Sequence, residues 1–292
     1  MKFNADDFKA ALCELPDAER QQLLAQLSSA NFSGQIKEFQ SNPSEWAHAL
    51  LPLAATFSVA PISGFHVGAV AVGASGALYL GANLEFSGAP LSATLHAEQS
   101  AVLNAWTHGE LGITALAISE APCGYCRQFL WELSEANQLS IIVGDTRTDL
   151  GQLLPMPFGK LRQFGQGLFD SSSTTLKSII TITDDTAQLA VDAAQRSYTP
   201  YTNAPEGFVI ECADGQHFAG RSAESIAFNP SVPAVLSALN QRNLSSSRNE
   251  SITRCTQAKL TTSLHSSCEL AASLIRSMSN VKIQTVLIKR EA

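Results

Sequence analysis

The chain repeats itself at one fixed spacing. With Pro61 set opposite Pro200, the two segments run without a gap at an offset of 139 residues. Gly68 then meets Gly207, Val70 meets Val209, Gly76 meets Gly215, Gly81 meets Gly220 and Glu85 meets Glu224. Phe218 opposes Tyr79, so an aromatic position is also kept. Three glycines in register mark one hairpin turn and two close backbone approaches. A 292-residue chain of this kind has room for two cores, and the repeat predicts that one scaffold is built twice.

The chemistry is not repeated. The first copy carries Leu95-His96-Ala97-Glu98 and then Pro122-Cys123-Gly124-Tyr125-Cys126. At the same offset His96 falls on Val235 and Glu98 on Ser237, and no second Pro-Cys-x-x-Cys follows. Cys123 and Cys126 have the spacing of two thiolate ligands of Zn²⁺, and His96 supplies a third donor. A structural zinc site closes with four protein ligands, whereas a catalytic one keeps a position for water. His108 lies about three turns along the helix begun near His96, too far to be a fourth ligand. A lone C-x-x-C also suits redox chemistry or a structural zinc fragment. The preceding proline and the upstream His-x-Glu favour an open catalytic site. Arg127 stands next to Cys126, either as a donor to a thiolate or as an ordinary exposed helix arginine.

Charge and composition narrow the partners. Nineteen basic and 26 acidic residues give a net charge of −7, with no Lys/Arg cluster, which argues against a nucleic-acid polyanion. The first seven residues hold two acids and no apolar run, so no secretory signal is read. Apolar stretches are broken by Pro52, Pro61 and several glycines, so no membrane span is expected. Six scattered cysteines do not make a disulfide framework, which suits a reducing, cytoplasmic setting.

The element pattern is mixed. Helices are expected over Asp6 to Leu15, Asp17 to Ser28 and Trp46 to Leu51, then a hairpin over Val67 to Val72 and Ala77 to Ala82. A helix from His96, a strand Ile113 to Ser119, a helix Cys123 to Leu133 and a strand Ser140 to Val143 follow. A strand is expected at Ile179 to Thr183 within a Ser/Thr-rich connector, and a loop at Leu244 to Asn249. This predicts an α/β fold: a helical N-terminal unit (1–47), a first domain (48–165), a connector (166–185) and a second domain (186–292).

His-x-Glu followed by Pro-Cys-x-x-Cys is the pattern of zinc nucleobase deaminases. Four segments make the resemblance closer: Pro61–Ala69, Gly81–Phe86, Leu95–Ala101 and Pro122–Gln128. On these residues the chain resembles the long, two-domain bacterial cytidine deaminases. The resemblance implies two deaminase-like αβα domains, each a mixed sheet flanked by helices, the second a degenerate copy. It implies hydrolytic deamination of cytidine and deoxycytidine, as in pyrimidine salvage, by a zinc-activated hydroxide, with one Zn²⁺ per chain on His96, Cys123 and Cys126. Glu98 would be the proton shuttle, Asn83 and Glu85 the ribose ligands with Leu84 between them, and Phe65 an aromatic beside the base. The Ala97 backbone would read the base edge, and Phe158 would be a second aromatic over it. Glu224 then reads as the remnant of a former ribose site, its neighbour Asn83 being replaced by Ser222. The family pattern also implies a homodimer whose partner chain completes the active site, with Ala227–Ser231 lining the partner's pocket. The substrate would be a free pyrimidine nucleoside, with no nucleic acid and no membrane involved.

Overall fold

The computed structural model describes residues 8–37, 42–179, 181–182, 184–263 and 265–291. The N-terminal part holds α1 (Asp17–Leu27), β1 (Gln35–Ile36), α2 (Pro43–Ala49) and α3 (Leu51–Ala55). The first half continues with β2 (Gly68–Gly73), β3 (Leu78–Ala82), α4 (Ala97–Thr107), β4 (Ile113–Ile118) and α5 (Gly124–Leu130). It ends in β5 (Ser140–Val143), β6 (Thr146–Asp149) and α6 (Leu150–Leu153). The second half runs β7 (Leu176–Ser178), α7 (Asp185–Gln195), β8 (Glu206–Cys212), β9 (His217–Arg221), α8 (Ala234–Asn243), β10 (Ile252–Leu260), α9 (Cys268–Arg276) and β11 (Ile283–Arg290).

The strands form two mixed sheets, ordered β1-β3-β2-β4-β5-β6 and β7-β11-β10-β8-β9. Each contains an antiparallel hairpin, an antiparallel partner for its first strand and one parallel pair, β4 with β5 and β10 with β11. Period-two alternation decides which residues enter which layer. Ala69, Ala71, Tyr79, Leu116 and Ile118 face one large core, while Val70, Val72, Leu78, Leu80, Ala115 and Ala117 face the N-terminal helices. In the second sheet Phe208, Ile210 and Cys255 join the same large core, while Val209, Ala258, Val286 and Ile288 pack with α7. The central layer, with α4 and α8, is therefore shared by both sheets. Every residue of α4 from Ala97 to Trp106 is buried.

The glycine repeat has a steric cause. A Cβ on Gly81 would overlap the backbone of Ala97 and Ala101 in α4, and one on Gly220 would overlap Ala234 and Ala238 in α8. Both helices lie directly on their hairpin strand, a distance only glycine permits. These contacts also correct the register of the repeat. Ala101 corresponds to Ala238, an offset of 137, and the bridge of Leu84 with Leu95 corresponds to that of Ala223 with Val232. The loop between strand and helix is two residues shorter in the second copy. His96 thus matches Pro233 and Glu98 matches Val235, not Val235 and Ser237. The conclusion that the chemistry is missing there is unchanged.

Other boundaries differ locally. Residues 8–15 form successive turns rather than the expected helix, although Phe8 and Leu12 are buried, and Asp6 and Asp7 lie outside the described residues. The helix expected at Trp46 to Leu51 is two, because the chain restarts at Leu51 with Pro52 in the first turn. The helix from Cys123 stops at Leu130, not Leu133. The connector strand is Leu176–Ser178, paired with the end of β11, rather than Ile179 to Thr183; Ile180 and Thr183 lie outside the described residues.

Candidate active site

His96 and Cys123 are the residues immediately before α4 and α5. Both have extended backbone, with φ −84° and −68°, so each side chain stands at the positive end of its helix. Cys126 follows one turn into α5 and is fully buried. The two helix starts meet: His96 Nδ1 lies 3.5 Å from Cys123 Sγ and 3.3 Å from Cys126 Sγ. All three donor atoms fall within 4.8 Å of one another, the one group of three His, Cys, Asp or Glu ligands that does so among the described residues.

The donors carry the electrostatics that a cation would use. Hydrogen bonding from Cys126, together with His96, holds the Cys123 thiol down at about 3. Its hydrogen bond to Cys123 and then burial push Cys126 up. A divalent ion between the sulfurs is what makes a second thiolate favourable. His96 is pushed up by its bond to Cys123, against the effect of burial. Two soft sulfurs and an imidazole, with no fourth protein donor in the group, fit Zn²⁺ in an open site.

Glu98, in the first turn of α4, is only 5% exposed and lines the same cavity. Burial pushes its carboxyl above the usual range, against its own backbone N–H and His96. The cavity measures about 330 Å³ and is also lined by Phe65, Asn83, Glu85, Ala97 and Glu120. Among the described residues no Lys or Arg lines it. That volume and a few convergent polar groups are those of a small-molecule site.

Asn83 and Glu85 do more than face this cavity. Asn83 Oδ1 accepts from Ser58 Oγ at 2.6 Å and Val67 N at 2.9 Å, while its Nδ2 donates to Phe65 O at 2.9 Å. Glu85 Oε2 accepts from Ile62 N and Ser63 N at 2.9 and 3.0 Å, and Oε1 from Ser63 Oγ at 2.5 Å. The two side chains hold the loop that presents Phe65, which is 54% exposed. Glu224 makes the same clasp in the second copy, accepting from Tyr201 N, Thr202 N and Thr202 Oγ1. A glutamate retained where the described residues hold no metal-ligand group therefore has a loop-holding function of its own, which explains Glu224 better than a remnant of ligand binding.

Two expected residues stand apart from the cavity. Leu84 is buried and exchanges backbone hydrogen bonds with Leu95, at 2.8 and 3.0 Å. Phe158 is 63% exposed and does not line the cavity; its backbone is clamped to the Gln128 amide at 3.0 and 2.9 Å. Arg127 reaches no thiolate: Nε donates to Pro122 O at 2.7 Å and Nη1 to Leu153 O at 2.8 Å. It pins the turn that delivers Cys123.

Sequence reasoning missed the buttress of the site. Gln99 accepts from His96 N through Oε1 at 3.3 Å and donates through Nε2 to Pro230 O at 2.8 Å. The Tyr125 ring stacks on His96 at 5.8 Å, and its hydroxyl donates to Asn229 O. The loop at Asn229 and Pro230 of the second copy thus supports His96 from two sides within one chain, while Phe228 beside it is 61% exposed at φ 58°. The signal was present as two polar residues inside the zinc motifs, but their partners lie 104 and 131 residues away.

Comparison with known proteins agrees with this geometry. Two profiles described as the cytidine and deoxycytidylate deaminase zinc-binding region match residues 41–141 and 150–268. A protein named cytidine deaminase from Serratia proteamaculans is 39% identical over 263 residues, covering 86% of this chain and 89% of its own length. Another of that name from Photobacterium profundum is 43% identical over 225 residues, covering 75% of each chain. A crystal structure of cytidine deaminase from Mycobacterium tuberculosis is 31% identical, covering 41% of this chain and all of its own, with a TM-score of 0.38. Two matched halves, a likeness over most of the chain and, among the described residues, a single His-Cys-Cys centre on the first half lead to one assignment: the chain belongs to the zinc-dependent cytidine and deoxycytidylate deaminase family.

Proposed function

We propose that the chain deaminates cytidine and deoxycytidine hydrolytically, taking up water and releasing ammonia to leave the corresponding uridine. The observation that carries this is the placement of a buried carboxylate, Glu98, on the same small cavity as His96 and Cys123, two of the three grouped donors. When bound there, Zn²⁺ supplies the positive charge that acidifies water near neutral pH. Glu98 takes the proton of the attacking water, passes it to the pyrimidine N3 and later delivers a proton to the departing amine. Its burial supports this role, since a carboxyl with a raised affinity for protons both accepts and returns them. The Ala97 backbone reads the base edge, and Phe65 lies beside the ring. Asn83 and Glu85, already fixed by the loop they clasp, present their remaining lone pairs and N–H to the ribose.

The cavity's carboxylates, Glu85, Glu98 and Glu120, with no Lys or Arg in its described lining, favour a neutral nucleoside over a polynucleotide. A homodimer with one zinc per chain is part of the reading, with exposed Phe228 as the residue offered to a partner's pocket. Six free thiols and no described helix long and apolar enough to cross a membrane support a cytoplasmic setting. The test is the ultraviolet absorbance of cytidine mixed with zinc-loaded protein. Conversion to uridine is expected, and intact cytidine would overturn the reading. Activity per chain should fall on dilution to monomer; a constant value would remove the partner from the site.

A further inference from the structure

A second cavity, of about 320 Å³, lies where the N-terminal unit, the far end of α4 and the second domain meet. Two arginines face it. Asn31, Arg196, Gln216, His217, Arg221 and Gln241 line it, and among the described residues no Asp or Glu does. Among the described residues neither arginine forms an ion pair. Arg196 uses only Nε, on Asp192 O at 3.3 Å. Arg221 uses Nη2, on Trp106 O at 2.6 Å, and stacks over the Trp106 ring at 3.7 Å. Its Nε is buried without a partner, as is Nε2 of Gln241, a side chain more than nine-tenths buried.

Arg221 is half-buried beside the exposed Arg196, and no ion pair offsets its charge among the described residues. Burial, and then the like charge of Arg196, lower the Arg221 guanidinium to about 10, still charged at neutral pH. The acids nearby are already engaged: Glu211 faces His217 at 3.8 Å, and Asp214 accepts from Ser247 Oγ at 2.5 Å. Ser245 and Ser246 donate to Arg242 O and Ala30 O, so the serines add no free donor there. Phe32 and Phe218 form apolar walls. A multiply charged acceptor of small size complements this set, and planar guanidinium groups suit phosphate in particular.

The geometry points to this cavity as a binding site for a phosphate monoester, held by Arg196 and Arg221 with the Gln241 amide and with its organic group against Phe32 and Phe218. Such a ligand bridges three parts of the chain and touches the last turn of the helix that His96 begins.

Titration calorimetry tests this on the full-length, zinc-loaded chain, with the catalytic cavity saturated by uridine and chloride held constant. The probes are inorganic phosphate and ribose 5-phosphate. Saturable binding of one ribose 5-phosphate per chain is expected, with a dissociation constant below about 1 mM. Arg196→Ala and Arg221→Gln should each weaken it about tenfold or more. Arg196 is exposed, so its loss leaves the packing intact even if Arg221→Gln fails to fold. Tighter binding of the ester than of phosphate places the organic group on the aromatic walls. No binding of either probe, or equal affinity in wild type and Arg196→Ala, would overturn the proposal.

Discussion

Glu98 and Cys123 line the same cavity, yet they should fail differently. Glu98→Ala should keep stoichiometric zinc and the fold while kcat drops about 10²–10⁴-fold, read by absorbance and metal analysis. Cys123→Ala removes a donor that His96 and Cys126 cannot replace, so the purified protein should lack stoichiometric zinc as well as turnover. A third residue prediction concerns acid stability. Burial alone would raise the Glu110 carboxyl. Hydrogen bonds from Ser75, Leu111 N and Tyr79 outweigh it and hold the group below its ordinary 4.5. A depressed carboxyl stabilises the folded chain fully above the unfolded value, and that contribution disappears as pH falls through the folded value. Glu110→Gln should therefore be less stable than wild type at pH 7, with the gap narrowing below pH 4.5 in urea titrations. A pH-independent gap would show that the charge is immaterial. The zinc motif was legible because its spacing is a local property of two short segments. The double duty of Glu85 was not, because a carboxylate facing a ligand and one clasping a loop look the same in sequence.

At the scale of elements, each hairpin strand and its helix share one glycine contact. Gly81→Ala and Gly220→Ala both force a methyl into a helix backbone, and each should cost about 1–3 kcal/mol of stability. Thermal melts would show both losses. Only Gly81→Ala should also lower kcat, because only α4 begins at a zinc ligand. Equal effects on kcat would mean that the shared core transmits both shifts. The glycines were legible as a repeat. The two-residue offset at the helices was not, because Pro233 and Val232 keep the geometry of His96 and Leu95 without their identity.

At the scale of the molecule, the silent copy is joined to the active one by a buried carboxylate. Glu132, 1% exposed just beyond α5, accepts from Tyr198 Oη at 2.9 Å, Tyr201 Oη at 2.5 Å and Ile226 N at 2.8 Å, with Arg162 Nε at 3.5 Å. Asn240 and Ser100 lock α8 to α4 through bonds of 2.5 and 3.0 Å. Glu132→Ala takes the carboxylate from the buried Tyr198 hydroxyl, from the half-buried Tyr201 hydroxyl and Ile226 N, and from the Arg162 guanidinium, and chemical denaturation should show a loss of about 3 kcal/mol. Wild-type stability in that variant would mean that the halves are held by the shared apolar core alone.

The sequence by itself determined the chemistry and the doubling. Ligand spacing, an adjacent acid and glycines in register are short-range patterns, and their physical meaning does not depend on the rest of the chain. Tertiary structure alone decided why the second copy is kept. Its Asn229 and Pro230 carbonyls support His96 through Tyr125 and Gln99, and its tyrosines hold Glu132. These bonds join residues 66 to 131 positions apart, and no periodicity in a sequence encodes which distant carbonyl a side chain will meet.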